Sequence, residues 1–362
     1  MKVPLQVNAV PRTVKILLYI LLAIFLFFLL EIIIEVILMG CGVIVQEKLV
    51  PYMYDSEIKR NKLKEHFRID NDKLNNKVHM GIQNIKNKKI VICALARDVE
   101  KCFPKCIDKI MLFTEGFENY NIIIYENDSK DRTRELLREW AQRNKKVKLM
   151  DCCEEGNCDC KLKVNNLKLD EGAMSHERIK KMAHFRNKYL DHVKKNYKDY
   201  DYMMVIDIDI RGGVFKEGFQ SCFADDDWDA IFAKGIKPFP FLFGSLNFVY
   251  DTLAFVDKKN HMFFDKKKCS KHFLQLQNVY NKKIGDSMEV VRSAFNGASI
   301  YRIKTIIDSD AKYDSITPCE HIDFHDSLKS DKLYASPSFI INMGIDNETQ
   351  LPFDFISNLW NQ

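Results

Sequence analysis

From Lys89 onward, short apolar runs alternate with amphipathic stretches, and this pattern constrains the fold more than any other feature of the chain. Residues 90–95, 121–125, 147–150, 202–206 and 229–233 have the length and composition of buried strands. Between them, 100–113, 131–144 and 175–195 carry helical periodicity. Such alternation gives an α/β fold: a mostly parallel sheet flanked by crossover helices. Beyond Gly235 the chain is rich in Phe and less regular. With 46% hydrophobic residues, the chain can bury a sizeable core.

In open α/β sheets, ligands gather at the carboxyl ends of the strands. The first strand ends in Ala96-Arg97-Asp98, the second runs into Glu126-Asn127-Asp128-Ser129, and the fourth ends directly in Asp207-Ile208-Asp209. These three segments are expected to converge. Two carboxylates separated by one residue at a strand end can reach a single hard cation, and Mg²⁺ or Mn²⁺ suits oxygen ligands. Such a cation would bridge Asp207 and Asp209 to a nucleoside diphosphate, which carboxylates alone would repel. Glu126 or Asp128 can accept hydrogen bonds from a nucleobase or ribose. Ser129 or Asp131 can cap the helix that follows. Arg178 and Arg186 lie eight residues apart, near one face of the 175–195 helix. There they offer charge-assisted contacts to a diphosphate, or form a solvated face.

The N-terminal region has a different character. Residues 16–30 hold no charge, and after Glu31 and Glu35 the apolar character resumes to Val45. A helix over 16–38 is long enough to cross a bilayer. A single transmembrane signal anchor is therefore expected within 16–45, after a short tail at 1–15. Lys2, Arg12 and Lys15 favour a cytosolic N-terminus, which would place the rest of the protein in an ER/Golgi-like lumen. A cleaved signal peptide and a buried helix are the alternatives. Residues 46–88 are polar and rich in Lys and Asn, and read as a stem, partly helical around 56–66. Residues 89–362 are expected to form the globular α/β domain. The net charge of +5 is modest and the basic residues are dispersed, so nucleic acid is not an expected partner. Of eleven cysteines, Cys152, Cys153, Cys158 and Cys160 are crowded together. They suit a disulfide knot in an oxidising lumen or a zinc site in the cytosol, although the spacing is not that of paired C-x-x-C arms. The odd total leaves at least one cysteine free or paired with another chain.

Taken in order, Ala96-Arg97-Asp98-Val99-Glu100, Tyr125-Glu126-Asn127-Asp128-Ser129, Arg178 with Met182 and Arg186-Asn187, and Asp207-Ile208-Asp209 resemble the GT-A glycosyltransferases. The chain is most similar to the capsule-associated α-1,3-mannosyltransferase group, glycosyltransferase family 69. Phe295-Asn296-Gly297-Ala298 and Cys319-Glu320-His321 with Asp323 and His325 also resemble that group, over roughly residues 89–343. The resemblance implies a GT-A fold and a nucleotide-sugar donor, a GDP- or UDP-sugar. It implies Mn²⁺ or Mg²⁺ on Asp207 and Asp209, and transfer of a hexose to a glycan or glycoconjugate. It places Arg97, Glu126, Asp128, Arg178, Arg186 and Asn187 around the donor. It makes His321 or His325 a late metal ligand or diphosphate contact, and Glu320 or Asp323 the general base of an inverting enzyme. Retaining chemistry would follow from the mannosyltransferase group itself. The Cys152 to Cys160 insertion and Pro238-Phe239-Pro240-Phe241 depart from the pattern. A membrane-tethered scaffold on an inactive GT-A fold is the competing class, and the intact acidic pair argues against it. A nucleotidyltransferase would need a Gly-rich loop after the first strand, and residues 94–101 contain no Gly.

Overall fold

The computed structural model describes residues 56–64, 67–151, 175–241, 244–262, 275, 276 and 278–344, with five isolated positions between 19 and 30. The cysteine cluster at 152–160, residues 345–362 and nearly all of the expected membrane span lie outside these. Among the described residues no helix is long and apolar enough to cross a membrane.

The alternation produces the expected elements. Strand β1 (Lys89–Ala96) leads through α2 (Phe103–Leu112) to β2 (Asn119–Glu126), then through α3 (Thr133–Arg143) to β3 (Val147–Asp151). Helix α4 (His176–Asn196) precedes β4 (Tyr202–Ile206) and the short α5 (Lys216–Ser221). Strands β5 (Ala230–Phe241), β6 (Gly244–Val249), β7 (Val256–Asp257), β8 (Glu289–Ser293) and β9 (Ala298–Arg302) follow, then α6 (Ile303–Asp308), α7 (Glu320–Ser327) and β10 (Leu333–Asn342). The sheet order is β3-β2-β1-β4-β9-β5-β10-β8-β7, with β6 paired to β5. Strands β3, β2, β1 and β4 are parallel, whereas β9 runs antiparallel to β4 and β5. The chain turns outward from β1 in both directions, so a topological switch point lies between β1 and β4. Open α/β sheets bind ligands at the strand ends of such a point.

Each strand's two-residue period divides its side chains between two cores. Val91, Cys93, Ile123, Met203 and Val205 pack with Phe185, Tyr189 and Val193 of α4. Ile90, Ile92, Ile122, Ile124, Met204 and Ile206 face the opposite side, with Trp140, Phe219 and Trp228. Helix α4 starts where Ser175 accepts a hydrogen bond from the Arg178 amide, a standard N-cap.

The described part of the expected stem is packed onto the domain. Ile58 and Leu63 are buried. Helix α1 (Asn71–Ile85), capped by Asp70, buries Leu74, Gly81 and Ile85. A Cβ on Gly81 would stand 1.9 Å from the Gln220 carbonyl oxygen, so only glycine permits this approach. The apolar stripe at 74, 78, 81 and 85 has helical spacing that the Lys- and Asn-rich composition obscures.

Candidate active site

At the end of β4, the Asp207 amide donates to the Gly297 carbonyl at 2.9 Å, which sets the first acidic residue against the turn entering β9. Asn296 (φ 55°) and Gly297 (φ 91°) are both left-handed there. Burial, then the field of Asp209, pushes the Asp207 carboxyl up to about 7, against the opposing pull of Arg186 and a hydrogen bond from Tyr250. That bond runs from the Tyr250 hydroxyl to Asp207 Oδ2 at 2.9 Å.

Arg186 projects from α4 beneath this pair. Its Nε donates to Glu320 Oε1 at 3.0 Å, a guanidinium nitrogen lies 4.0 Å from Asp207, and Nη1 donates to the Tyr189 hydroxyl at 3.2 Å. The rings of Phe295 and Tyr313 flank the guanidinium at 5.3 and 5.8 Å. Burial opposes the Arg186 charge, but the surrounding Tyr189, Glu320, Tyr313 and Asp207 hold it ionised. Asp251, directly after Tyr250, completes the group. Burial, then Asp207 and Glu320, push its carboxyl well above the usual range, while Arg186 and Arg178 pull it back.

A second group lies at the ends of β1 and β2. Two loops are laced together there by backbone amides donating to side chains: Asp98 to Ser129 Oγ (3.2 Å), Lys130 to Asp98 Oδ1 (2.7 Å), Val99 to Thr133 Oγ1 (2.7 Å) and Glu100 to Asp131 Oδ2 (3.0 Å). Asp98 and Asp128 adopt left-handed backbone at these turns. Arg97 and Asp128 are exposed above the lacing. Lys181 of α4 feels both of them, and burial lowers its ammonium first.

Five of the expected site residues have their surroundings defined by these contacts. Glu126 is fully buried, and its two oxygens accept from the Ser129 amide at 2.8 Å and Arg134 Nε at 2.7 Å, which ties the loop together. Asn187 exchanges two 2.9 Å hydrogen bonds with the backbone of Tyr313, which leaves its amide facing scaffold. Asp323 accepts the amides of Ile316 and Thr317 at 2.8–3.1 Å; it ties a loop and is not placed as a base. His325 bonds Ser293 through Nδ1 and Tyr301 through Nε2, both at 2.8 Å, so no ring lone pair is left for a metal. His321 is 2% exposed and stacks on Phe295 at 3.9 Å with both ring nitrogens unpartnered; the expected chelating pair with His325 does not form.

Sequence reasoning missed Tyr250, Asp251, Lys181 and Lys109. Lys109 is a buried ammonium that donates to the Ile210 and Arg211 carbonyls at 2.8 and 3.3 Å and so supports the loop behind Asp209. In the sequence it is one more lysine on an amphipathic helix, and nothing but burial distinguishes it.

Among the described residues no three His, Cys, Asp or Glu side chains are gathered to hold a metal. The donor set nevertheless fits a hard cation. Two half-buried carboxylates stand one residue apart after β4, near enough that Asp209 adds to the raising of Asp207 by desolvation, and phosphate oxygens and water complete such shells elsewhere. Asp207 and Asp209 would hold the ion.

An acidic pair at the switch point of an open α/β sheet, with an arginine and polar loops at neighbouring strand ends, stands where such sheets bind their ligands. The chain belongs to the family described as Cryptococcal mannosyltransferase 1, whose model matches residues 89–343, and it is a glycosyltransferase. Solved structures that resemble it include *S. aureus* TarS (11% identity, TM-score 0.42, covering 74% of this chain and 38% of that one). The mannosyltransferase PcManGT from *Pyrobaculum calidifontis*, in complex with GDP-Man and Mn²⁺, matches at 8% identity and TM-score 0.40, over 76% of this chain and 66% of that one. TarS 1–349 in complex with UDP-GlcNAc matches at 12% and 0.39, over 74% and 64%. The chain thus spans less than half of full TarS. No curated protein matches it.

Proposed function

We propose that this glycosyltransferase moves a hexose, mannose in our reading, from a GDP-sugar to a hydroxyl of a glycan or glycoconjugate with the aid of Mn²⁺ or Mg²⁺. One observation carries the metal-dependent reading: Asp207 and Asp209 follow β4 directly, with the Arg186 guanidinium 4.0 Å from Asp207, within the segment that matches a mannosyltransferase family. When bound, the cation neutralises charge on the leaving diphosphate. Asp207 and Asp209 hold it. Arg186 fixes Glu320 and keeps the pocket floor from becoming wholly anionic. Arg178, exposed in the first turn of α4, meets the diphosphate. Arg97 and Asp128, on loops that Glu126 and Asp131 hold in shape, and Lys181 of α4 face the nucleoside.

We further read residues 16–45 as a signal anchor and the catalytic domain as lumenal. The support is the uncharged 16–30 run and the basic residues before it. Protease digestion of sealed microsomes should spare the domain until detergent is added.

The donor reading is tested with the full chain in detergent, Mn²⁺ and a panel of GDP- and UDP-hexoses, by following nucleoside diphosphate release. GDP-mannose should be turned over fastest. Release from none of them would favour a non-catalytic scaffold.

A further inference from the structure

The second acid of the pair, Asp209, stands in a segment with no regular structure of its own. Ile208–Gly213 is neither helix nor strand, so its shape is set by bonds to other elements. Lys109 makes two of them. It lies in the last turn of α2 and is 1% exposed, and its ammonium donates to the Ile210 carbonyl at 2.8 Å and the Arg211 carbonyl at 3.3 Å. The Cys106 thiol, one turn earlier, donates to the same Ile210 carbonyl at 3.2 Å. A lysine at a helix end ordinarily stays in water and serves the carbonyls of its own last turn. This one is buried, has no carboxylate partner among the described residues, and gives its donors to a different segment. A buried ammonium needs hydrogen bonds in place of its water, and here the carbonyls beyond Asp209 supply them.

The anchors fall on both sides of Asp209. Before it, the Asp207 amide donates to the Gly297 carbonyl at 2.9 Å. After it, Lys109 and Cys106 hold the Ile210 carbonyl, one residue away. Ile208 and Ile210 are buried in the core that contains Trp140 and Phe219. The far end of the segment is fixed separately. The Arg211 amide donates to Met343 at 3.1 Å, the Asn342 amide to Gly213 at 2.9 Å, and the Val214 amide to Ser56 at 3.1 Å.

We propose that Lys109 is a positioning residue for the cation site, whose ammonium clamps the Ile210 and Arg211 carbonyls and so fixes Asp209 relative to Asp207. This rests on the reading in which those two carboxylates hold the cation. Mg²⁺ in particular holds its ligands to a narrow geometry. A segment free to shift would have to be ordered each time the ion binds, at a cost in affinity. Clamping by an ammonium on backbone carbonyls orders it beforehand.

The test uses the full chain as wild type, Lys109→Met and Lys109→Gln. Methionine keeps the apolar stem and removes the donors, whereas glutamine keeps an amide donor without the charge. The probes are Mn²⁺ and GDP. Calorimetry gives the Mn²⁺ concentration that half-saturates the strengthening of GDP binding, and amide hydrogen exchange of the metal-free proteins reads the segment directly. Lys109→Met should raise that concentration about 10- to 100-fold and Lys109→Gln less, as groups behind metal ligands typically do, with metal-free GDP affinity within about twofold of wild type. Without metal, the Arg211 and Val214 amides should exchange at least roughly tenfold faster in Lys109→Met, while β1 keeps its protection. A half-saturating Mn²⁺ concentration within about twofold of wild type would overturn the proposal. Faster exchange spread evenly over β1 to β4 would also do so, since Lys109 would then serve the fold as a whole. If the methionine variant does not fold, the same two readings on the glutamine variant decide the matter. Failure of the underlying reading looks different: Mn²⁺ would not strengthen GDP binding to wild type at all.

Discussion

Replacing Arg186 by Met should destabilise the domain through the charges it leaves behind. The Arg186 and Glu320 side chains are 5% and 8% exposed and lie 3.0 Å apart, with Asp207 at 4.0 Å. Removing one partner of a buried ion pair costs about 3–5 kcal/mol, because the survivor keeps its desolvation penalty. Two ring faces, Phe295 and Tyr313, lose a cation as well, worth about 0.5–1 kcal/mol each. A methionine sulfur against the same rings returns part of that. The net expectation is a loss of about 3–4 kcal/mol. With a urea m-value of about 2–3 kcal/mol/M, the midpoint should fall by roughly 1–2 M. Pairing the change with Glu320→Gln removes the stranded charge, so the double variant should be less destabilised than the sum of the singles. Equilibrium urea unfolding of the four proteins measures both quantities. A single-variant cost below about 1 kcal/mol, or strict additivity, would refute the buried-pair argument.

Glu126→Ala should lower stability by roughly 2–4 kcal/mol by freeing Arg134 and the Ser129 amide, with its effect on donor KM following from loop disorder; a large KM increase at unchanged unfolding midpoint would return Glu126 to the nucleoside site. Burial lowers His325 from 6.5 to about 3, so the unfolded chain binds a proton that the native core refuses. Stability is therefore full above about pH 6.5 and is lost as pH falls toward 3; His325→Gln should flatten that slope in a pH series of melts. Lys234, pushed down to about 7 by burial, donates to the Tyr280 carbonyl at 2.5 Å and faces Phe67. Its native state resists protonation between pH 10.5 and 7, so stability falls over that window, and Lys234→Met should raise stability at neutral pH by roughly 1–4 kcal/mol.

Legibility followed periodicity. The β1 to β4 framework could be read because buried parallel strands are continuous apolar runs and their helices carry a clear stripe, and Asp207-Ile208-Asp209 stood out because it ends such a run. The later half could not be read in this way. Strands β6 to β10 join a mixed sheet whose pairing depends on distant partners, such as β10 between β5 and β8. Residue type alone did not show the surroundings of Glu126, Asn187, Asp323 and His325. All four are polar residues at plausible places, and only their hydrogen-bond partners reveal that their lone pairs and protons are already used. Conversely, Tyr250 and Asp251 follow an irregular aromatic stretch and carry no spacing signal, so only the pairing of β6 with β5 and the reach of Tyr250 to Asp207 bring this turn to the site. Helix α1 was hidden by composition: its polar face is long and its buried face is four residues wide.

The central claim is that Asp207 and Asp209 join a divalent cation to the donor diphosphate. Calorimetric titration of GDP into wild type, Asp207→Asn and Asp209→Asn, with and without Mn²⁺, tests it most directly. The account predicts that Mn²⁺ strengthens GDP binding to wild type at least about tenfold and does so for neither variant, since the amide keeps the shape but not the charge that holds the ion. Equal Mn²⁺ enhancement in all three proteins would contradict it.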